Sequence, residues 1–437
     1  MIKEYPVDEL KPGMVVVDTG LSWAERPYLY AQPGVLSELQ IASLRHEGYA
    51  SAFIDTDKGP LAGTRPAPPT VSLEAGRAAD LETEKRLLAH ALRVDRPTAL
   101  GAGDGAEAGG EAGAEGEAAP RAGKVPLRVA LKAAQSLYED SIAYVRAFLK
   151  DARLGRQIAY EKSEALVEGI IDSVMQNEDA LLSLRRVRDA DEYTYTHCLH
   201  VTVLATVFGR FLGLPRGRLN TLAKAALFHD LGKARIPAAI LHKAGRLSER
   251  EFAQVRSHPA LGVETIRALG RTVPEEVLRG IAEHHERYDG SGYPDGLRGE
   301  AVAPFAAVIG VVDVYDALTS ERVYRKGLLA HEALKVIYGM RERDFSPLLI
   351  DRFIKCLGIY PVGSLVRLSN ECIAVASGSN SGRPLEPLVR VIIGPKLKPI
   401  QPHSIDLALG EGDGEPLRVV EVLDHRRYGI DPAQYMV

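Results

Sequence analysis

The chain has 437 residues, 46% of them hydrophobic and 26% charged, which is ordinary usage for a folded protein of two or three domains. Its formal net charge of −4 excludes a general nucleic-acid coat, because phosphate-backbone affinity grows with the number of Lys and Arg contacts, but leaves room for a small phosphorylated ligand. The N-terminal run MIKEYPVDELKPG lacks the apolar core of a secretory signal, and no run approaches the roughly 20 apolar residues that span a bilayer, so the expected compartment is the cytoplasm.

Residues 1–58 mix β-type runs (Met14–Asp18, Ser51–Asp55) with a helical stretch from Ser37 to Glu47 that Gly48 ends, and read as a small α/β module. Residues 59–125 lose apolar periodicity, opening Pro-rich and closing on GAGDGAEAGGEAGAEGEAAPRAG, although Leu81–Val94 has the pattern of an isolated helix. Gly, Ala and a few acids cannot bury enough surface to offset chain entropy, so this stretch reads as a flexible linker.

From Pro126 to Asn177, apolar residues recur at helical spacing through Leu131, Ala134, Leu137, Ile142, Val145 and Phe148, then Leu166, Ile170, Ile171 and Val174. Two long helices follow, with stripes that fit pairing in a homodimer and packing within one chain equally well. Residues 193–357 continue as helices, broken at Gly213–Arg216, Gly232–Pro237, Gly245–Ser248, Gly270–Pro274 and Asp289–Gly299. Past Tyr360, short strands are expected at Ser364–Leu368, Ile373–Ala376, Leu388–Ile393, Ile405–Leu407 and Arg418–Val422. The fold class is therefore mainly α: a helical domain over 126–358, preceded by the small α/β module and followed by a β-rich extension over 359–437.

Histidines beside carboxylates carry the chemistry. His197, His229-Asp230, His258, His284-His285 and Asp313 come from four separate helical or near-helical segments, as expected where a bundle core holds metal. Cys198, Cys356 and Cys372 are scattered, forming neither a disulfide framework nor a thiolate zinc site, so any metal must be held by nitrogen and oxygen. Adjacent helical residues diverge by about 100°, which would send His284 and His285 to two neighbouring ions, one each, with Asp230 bridging. With Asp230 counted twice these side chains give about eight contacts, whereas two six-coordinate ions need about twelve, which leaves positions for water and substrate oxygens. His258 alone, before Pro259, would more often be a helix-end residue than a ligand. His200, one turn after His197, is expected at the surface more readily than behind the ligands. His46, His90, His242, His331, His403 and His425 have no such company.

The runs AALFHDLGKARIPAAIL (Ala225–Leu241), HHERYDGSGYPDGL (His284–Leu297) and VVDVYDALTSERVYR (Val311–Arg325) resemble, in order and spacing, the three blocks of the HD-GYP domain, a branch of the HD phosphohydrolases. RSHPALGVETI around His258 is similar to the segment usually found between them, residues 1–58 to a small uncharacterised module that often precedes such domains, and the tail to a β extension of the same group. The resemblance implies a metal-dependent cyclic di-GMP phosphodiesterase that yields pGpG, GMP or both, with two divalent ions, Fe or Mn, activating a bridging hydroxide. By matching position it implies His197, His229, Asp230, His258, His284, His285 and Asp313 as metal ligands. It further implies Asp230 and Lys233 as catalytic groups near the phosphate, and Arg322, Arg325, Tyr293 and Pro294 as substrate contacts, with stabilisation of the Gly-rich turn an equal alternative for Tyr293. Relatives with a third ion carry Glu four residues before the first histidine, where this chain has Tyr193; Glu192 is one position early, so two ions are expected. Two other readings stay open. One is an HD phosphohydrolase acting on another nucleotide, such as a mixed purine cyclic dinucleotide. The other is a signalling scaffold that binds the dinucleotide or a diguanylate cyclase with little turnover. No DNA or RNA polymer and no membrane span is expected as a partner.

Overall fold

A computed structural model describes residues 2–18, 34–35, 51–55, 125, 127–184, 193–241, 243, 245, 247–320, 327–380, 383–409 and 416–435. At the N-terminus, β1 (Ile2–Pro6), β2 (Val15–Asp18), β3 (Gly34–Val35) and β4 (Ser51–Asp55) form an antiparallel sheet in the order β1-β4-β2-β3. The apolar run of β4 occupies the middle, pairing with β1 from Ile2↔Asp55 to Pro6↔Ser51 and on its other side with β2. Pro6, which has no N–H to donate, sits on an edge strand where none is required. The helices expected at Ser37–Glu47 and Leu81–Val94 and the linker, Val125 apart, lie outside the described residues.

The helical body comprises α1 (Leu127–Arg153), α2 (Glu161–Gln176), α3 (Glu178–Leu184), α4 (Tyr193–Phe211), α5 (Arg216–Phe228), α6 (Ala238–Leu241), α7 (Glu249–Arg256), α8 (His258–Arg267), α9 (Glu275–Glu283), α10 (Pro304–Thr319), α11 (Ala330–Tyr338) and α12 (Pro347–Leu357). The two leading helices expected between Pro126 and Asn177 are α1 and α2, and the short α3 follows beyond Asn177. Asn177 leaves helical geometry at φ −161°, and its side chain closes the break, with Oδ1 accepting the Asp179 N–H at 3.0 Å and Nδ2 donating to Val125 O at 2.8 Å. The α1 stripe (Ala130, Ala134, Tyr138, Val145, Phe148) is buried within the same chain, Phe148 meeting Phe228 edge-on at 5.3 Å. These residues are core, whatever a second subunit does elsewhere.

The break before Arg216 is a glycine stop: Gly213 takes φ +81°, a region costly for any residue with a Cβ, and Pro215 then opens α5. Ser248 starts α7 with a capping box, its hydroxyl accepting the Glu251 N–H while Glu251 accepts the Ser248 N–H at 2.7 Å. Helix α10 is apolar on nearly every side, from Phe305 through Leu318, and so fits only the middle of the bundle, against α4, α5, α9 and α11. Among the described residues no helix is long and apolar enough to cross a membrane.

The extension is a five-stranded antiparallel sheet of β5 (Leu365–Leu368), β6 (Ile373–Gly378), β7 (Leu388–Ile393), β8 (Pro399–Asp406) and β9 (Val419–Leu423), ordered β8-β7-β6-β5-β9. Alternation sends Val366, Ala374 and Val391 to one core, and Leu365, Ile373 and Val375 to another that Leu127 of α1 joins. The fourth strand is longer than the Ile405–Leu407 expected. Pro399 and Pro402 lie within it because β8 is an edge strand, where a proline's missing N–H is tolerated.

Candidate metal centre

Three helix C-termini converge on the middle of the bundle, two capped by a histidine and the third followed by one after Ser257. His229 caps α5, His258 follows α7, and His284 caps α9. Each uses Nδ1 to take a carbonyl three residues back that the helix end leaves without a partner: Ala226 O at 2.7 Å, Val255 O at 2.7 Å and Ile281 O at 2.8 Å. A carbonyl can only accept, so Nδ1 carries the hydrogen in all three rings, and the Nε2 lone pair points inward. His197 reaches the same centre from α4, its Nδ1 donating to Asp316 Oδ2 at 2.9 Å and its Nε2 lying 3.1 Å from Asp313 Oδ1.

Asp230, buried beside His229, has one oxygen for each side of the centre. Oδ2 lies 3.5 Å from His197 Nε2 and 3.3 Å from His229 Nε2; Oδ1 lies 3.3 Å from His258 Nε2 and 3.9 Å from His284 Nε2. Lys233 donates to Oδ2 at 2.6 Å. The donor atoms thus fall into two groups suited to an ion, one of Asp230, His258, His284 and His285 and one of His197, His229 and Asp313. The structure therefore puts both adjacent histidines in one group rather than one in each. The helical 100° rule fails there because α9 ends at Glu283, and beyond it the two rings tilt together with centroids 4.1 Å apart.

The electrostatics fit a cation. Burial pushes the imidazoliums of His258, His284 and His285 below their usual range, the last two well below it with their neighbouring histidines adding to the effect. Burial alone would raise Asp230, but Lys233 and the histidines outweigh it and hold the carboxyl well down; Asp313 is likewise held down, chiefly by His197. Neutral imidazoles then face ionised carboxylates. His229 Nε2, Asp230 Oδ1 and His285 Nε2 are buried with no hydrogen-bond partner, and the Nε2 atoms of His258 and His284 face each other at 3.4 Å. Inward lone pairs, orphaned and buried, match the ligand set of divalent metal. Neither group contains a thiol, and burial pushes Cys198, next to His197, up to about 12.

Around the centre, the Asp289–Gly299 segment is held by a residue that motif reading missed. The buried Glu286 carboxylate accepts the N–H groups of Asp295, Gly296 and Leu297 at 2.7, 3.1 and 3.0 Å. Burial raises its pKa despite these three bonds. Tyr293 is buried, with its ring stacked on His285 at 4.7 Å and the Arg256 guanidinium 4.7 Å over its face, so this geometry supports the turn-stabilising alternative. Pro294 is exposed beside it. His200 is 1% exposed, not at the surface: α4 packs on three sides, which leaves no solvent face at that position. Asp316, missed in sequence, could have been found as a second carboxylate one turn after Asp313. Arg322, Arg325 and Glu192 lie outside the described residues, and of Tyr193 only the backbone, the first residue of α4, is described.

Residues 169–349 match the family described as HD domain, and residues 2–163 match a domain of unknown function (DUF3391). A cyclic di-GMP phosphodiesterase of Pseudomonas aeruginosa is 33% identical over 437 residues, covering 99% of this chain and 93% of that protein. A cyclic di-GMP phosphodiesterase response regulator of Xanthomonas campestris is 36% identical over 178 residues, 40% of this chain and 47% of its own. A 3′3′-cGAMP-specific phosphodiesterase of Vibrio cholerae is 34% identical over 159 residues, 36% of each chain. Among solved structures, an HDG"Y"P protein from Bdellovibrio bacteriovorus aligns with a TM-score of 0.43 at 16% identity, over 81% of this chain and 98% of that one.

Proposed function

This chain belongs to the HD-GYP family of HD-domain hydrolases, and from that premise we propose that it is a cyclic di-GMP phosphodiesterase, cutting the cyclic dinucleotide to pGpG, GMP or both. One observation carries the reading: Asp230 turns one oxygen to each of two buried groups of inward lone pairs, a donor set built for two neighbouring cations. His197, His229 and Asp313 would hold one ion, and His258, His284 and His285 the other, with Asp230 shared. All-nitrogen and oxygen donors suit Fe, Mn or another divalent first-row ion, and the family resemblance favours Fe or Mn. Such ions, when bound, lower the pKa of a water and neutralise charge on phosphoryl oxygens.

The chain's own groups do the rest. Carbonyl bonds at the three helix ends keep the imidazoles in the tautomer that binds, so no ring must turn when substrate arrives. Lys233 brings an ammonium to the rim of the centre, its side chain 17% exposed, within reach of a phosphate oxygen. Arg322 and Arg325 are assigned to the flanking phosphates by their place in the motif, and Pro294 to the substrate-facing edge of the loop that Glu286 anchors. The catalytic unit is taken as 126–358, with 1–58 and 359–437 as accessory modules. The decisive experiment incubates anaerobically purified protein, loaded with Fe(II) or Mn(II), with cyclic di-GMP and separately with 3′3′-cGAMP, and follows products by chromatography. Hydrolysis of cyclic di-GMP to pGpG or GMP supports the assignment, and faster turnover of the mixed dinucleotide reassigns the substrate. If neither is cut while a His229→Ala variant retains signalling output in cells, scaffolding is the function.

A further inference from the structure

A buried polar chain runs from His197, at the metal centre, to the leading helix. His197 and His200 sit one turn apart on α4, and Asp313 and Asp316 one turn apart on α10. Those spacings put the two groups of each helix on one face, the second a turn further along and so behind the first as seen from the centre. Behind the centre, Asp316 Oδ2 takes His197 Nδ1 at 2.9 Å and Ser320 Oγ at 3.1 Å, while Oδ1 lies 3.5 Å from His200 Nδ1. His200 Nε2 then meets Tyr138 Oη at 2.7 Å, with the two rings stacked at 5.9 Å. All four residues are under 10% exposed.

The proton order along this chain has one consistent direction. A carboxylate only accepts, so His197 gives its Nδ1–H to Asp316, and the same negative charge, 3.5 Å from His200 Nδ1 and short of a hydrogen bond, favours the His200 tautomer with its hydrogen on Nδ1. That makes His200 Nε2 an acceptor and Tyr138 the donor at the far end, and it turns the His197 Nε2 lone pair toward Asp230 and Asp313. Removing the Tyr138 hydroxyl leaves His200 free to exchange tautomers, and its other tautomer would put a lone pair against the Asp316 carboxylate. Tyr138 belongs to α1, which lies inside the residues matching the N-terminal domain of unknown function. The last helix of that match therefore touches a ligand of the centre through three side chains.

We propose that Tyr138 is a positioning residue for His197, acting through His200 and Asp316, and that α1 thereby sets how tightly the His197, His229 and Asp313 group holds its ion. The proposal rests on the reading of the centre as a two-ion site. Full-length wild-type protein, Tyr138→Phe, His200→Gln and the control Tyr144→Phe are stripped with chelator and titrated with Mn(II) by calorimetry, with bound metal counted after desalting. Tyr144 lies on the same helix and loses the same atom, but its hydroxyl serves Ala159 O. Wild type and Tyr144→Phe are expected to bind two ions alike. Tyr138→Phe should weaken one ion by about threefold to tenfold and His200→Gln by about tenfold to a hundredfold, the range for outer partners of metal ligands, with the other ion unchanged. Wild-type affinity for both ions in Tyr138→Phe, or equal weakening of both, overturns the positioning role while leaving the centre intact. Fewer than two ions in wild type overturns the centre as read, and this proposal with it. Should His200→Gln fail to fold, Tyr138→Phe, which removes a single oxygen, carries the test.

Discussion

Gly232 offers the sharpest test of how the centre is held. It lies in the 3-10 turn Leu231–Arg235, two residues after Asp230, and its backbone rests on the first turn of α8. A methyl there would overlap the His258 carbonyl oxygen and come within 2.6 Å of Gly262 N. A Cβ contact needs about 3.4 Å, so Gly232→Ala must push the turn and the His258 carbonyl apart by about 1.5 Å. That opens the 3.3 Å approach of Asp230 Oδ1 to His258 Nε2 and leaves His197, His229 and Asp313 where they are. Overpacking of this kind costs about 1–3 kcal/mol, and Tm falls by about 2–4 °C per kcal/mol in a domain of this size. A misplacement of about 1 Å at a reacting centre costs about a hundredfold in rate. Metal analysis, thermal melting and product chromatography on one preparation should therefore show one ion weakened, a Tm lower by several degrees and turnover reduced about a hundredfold. A Gly232→Ala protein with both ions at full occupancy and unaltered turnover would refute the claim that this crossing sets the ligand geometry.

Lys233→Met should keep both ions and lower kcat by about a hundredfold or more, the usual effect of deleting one charge-stabilising group; unchanged kcat at full metal content removes Lys233 from the phosphate. Glu286→Gln keeps the shape but weakens bonds to three N–H groups, so hydrogen exchange over 293–297 should quicken, with turnover down about tenfold; unaltered protection would show the loop is held elsewhere. Exhaustive chelation should abolish hydrolysis and Mn(II) should restore it, whereas equal turnover before and after rejects metal dependence. In chelated protein, His284 and His285 titrate well below the ordinary 6.5, so below that pH the unfolded chain binds more protons than the folded one. The sign is a stability that falls as pH drops from 7.5 to 5.5, read by thermal melts; a Tm that rises over that window contradicts it.

The histidines and carboxylates that gather at the centre were legible because chemistry constrains them more tightly than packing does. His229-Asp230 and His284-His285 advertise a metal site by residue type and spacing, and the helix stop at Gly213 and the helix start at Ser248 follow from local backbone rules. What escaped were contacts made across long sequence distances. Nothing near His200 announces Tyr138, 62 residues earlier, nor does His197 announce Asp316, 119 residues on. Periodicity assigned His200 to solvent because a polar residue on a helix usually faces water, and only the packing of α1, α5 and α10 around α4 makes that impossible. Tyr293 was ambiguous for the same reason: whether its ring faces are covered depends on His285 and Arg256, which the loop brings together.

The pairing of histidine with helix ends explains why a site this polar sits in an apolar bundle. Each of α5, α7 and α9 delivers to the core a C-terminus with unpaired carbonyls and the negative end of its dipole. Left alone, those carbonyls would be buried without partners, at a cost of about 1–3 kcal/mol each. His229, His258 and His284 remove that penalty through Nδ1 and, by the same bond, fix the tautomer that sends Nε2 inward. Structural need and ligand geometry are therefore met by one hydrogen bond per helix. The histidine at a helix end cannot be exchanged for glutamine on grounds of size alone, because a glutamine that gives its amide N–H to the i−3 carbonyl keeps its lone pairs on Oε1, bonded to the same carbon, and cannot aim them across the centre as imidazole Nε2 does. His258→Gln should accordingly keep α7 and α8 folded and lose metal, whereas a variant that loses fold and metal together would show that the imidazole holds the helices rather than the ion.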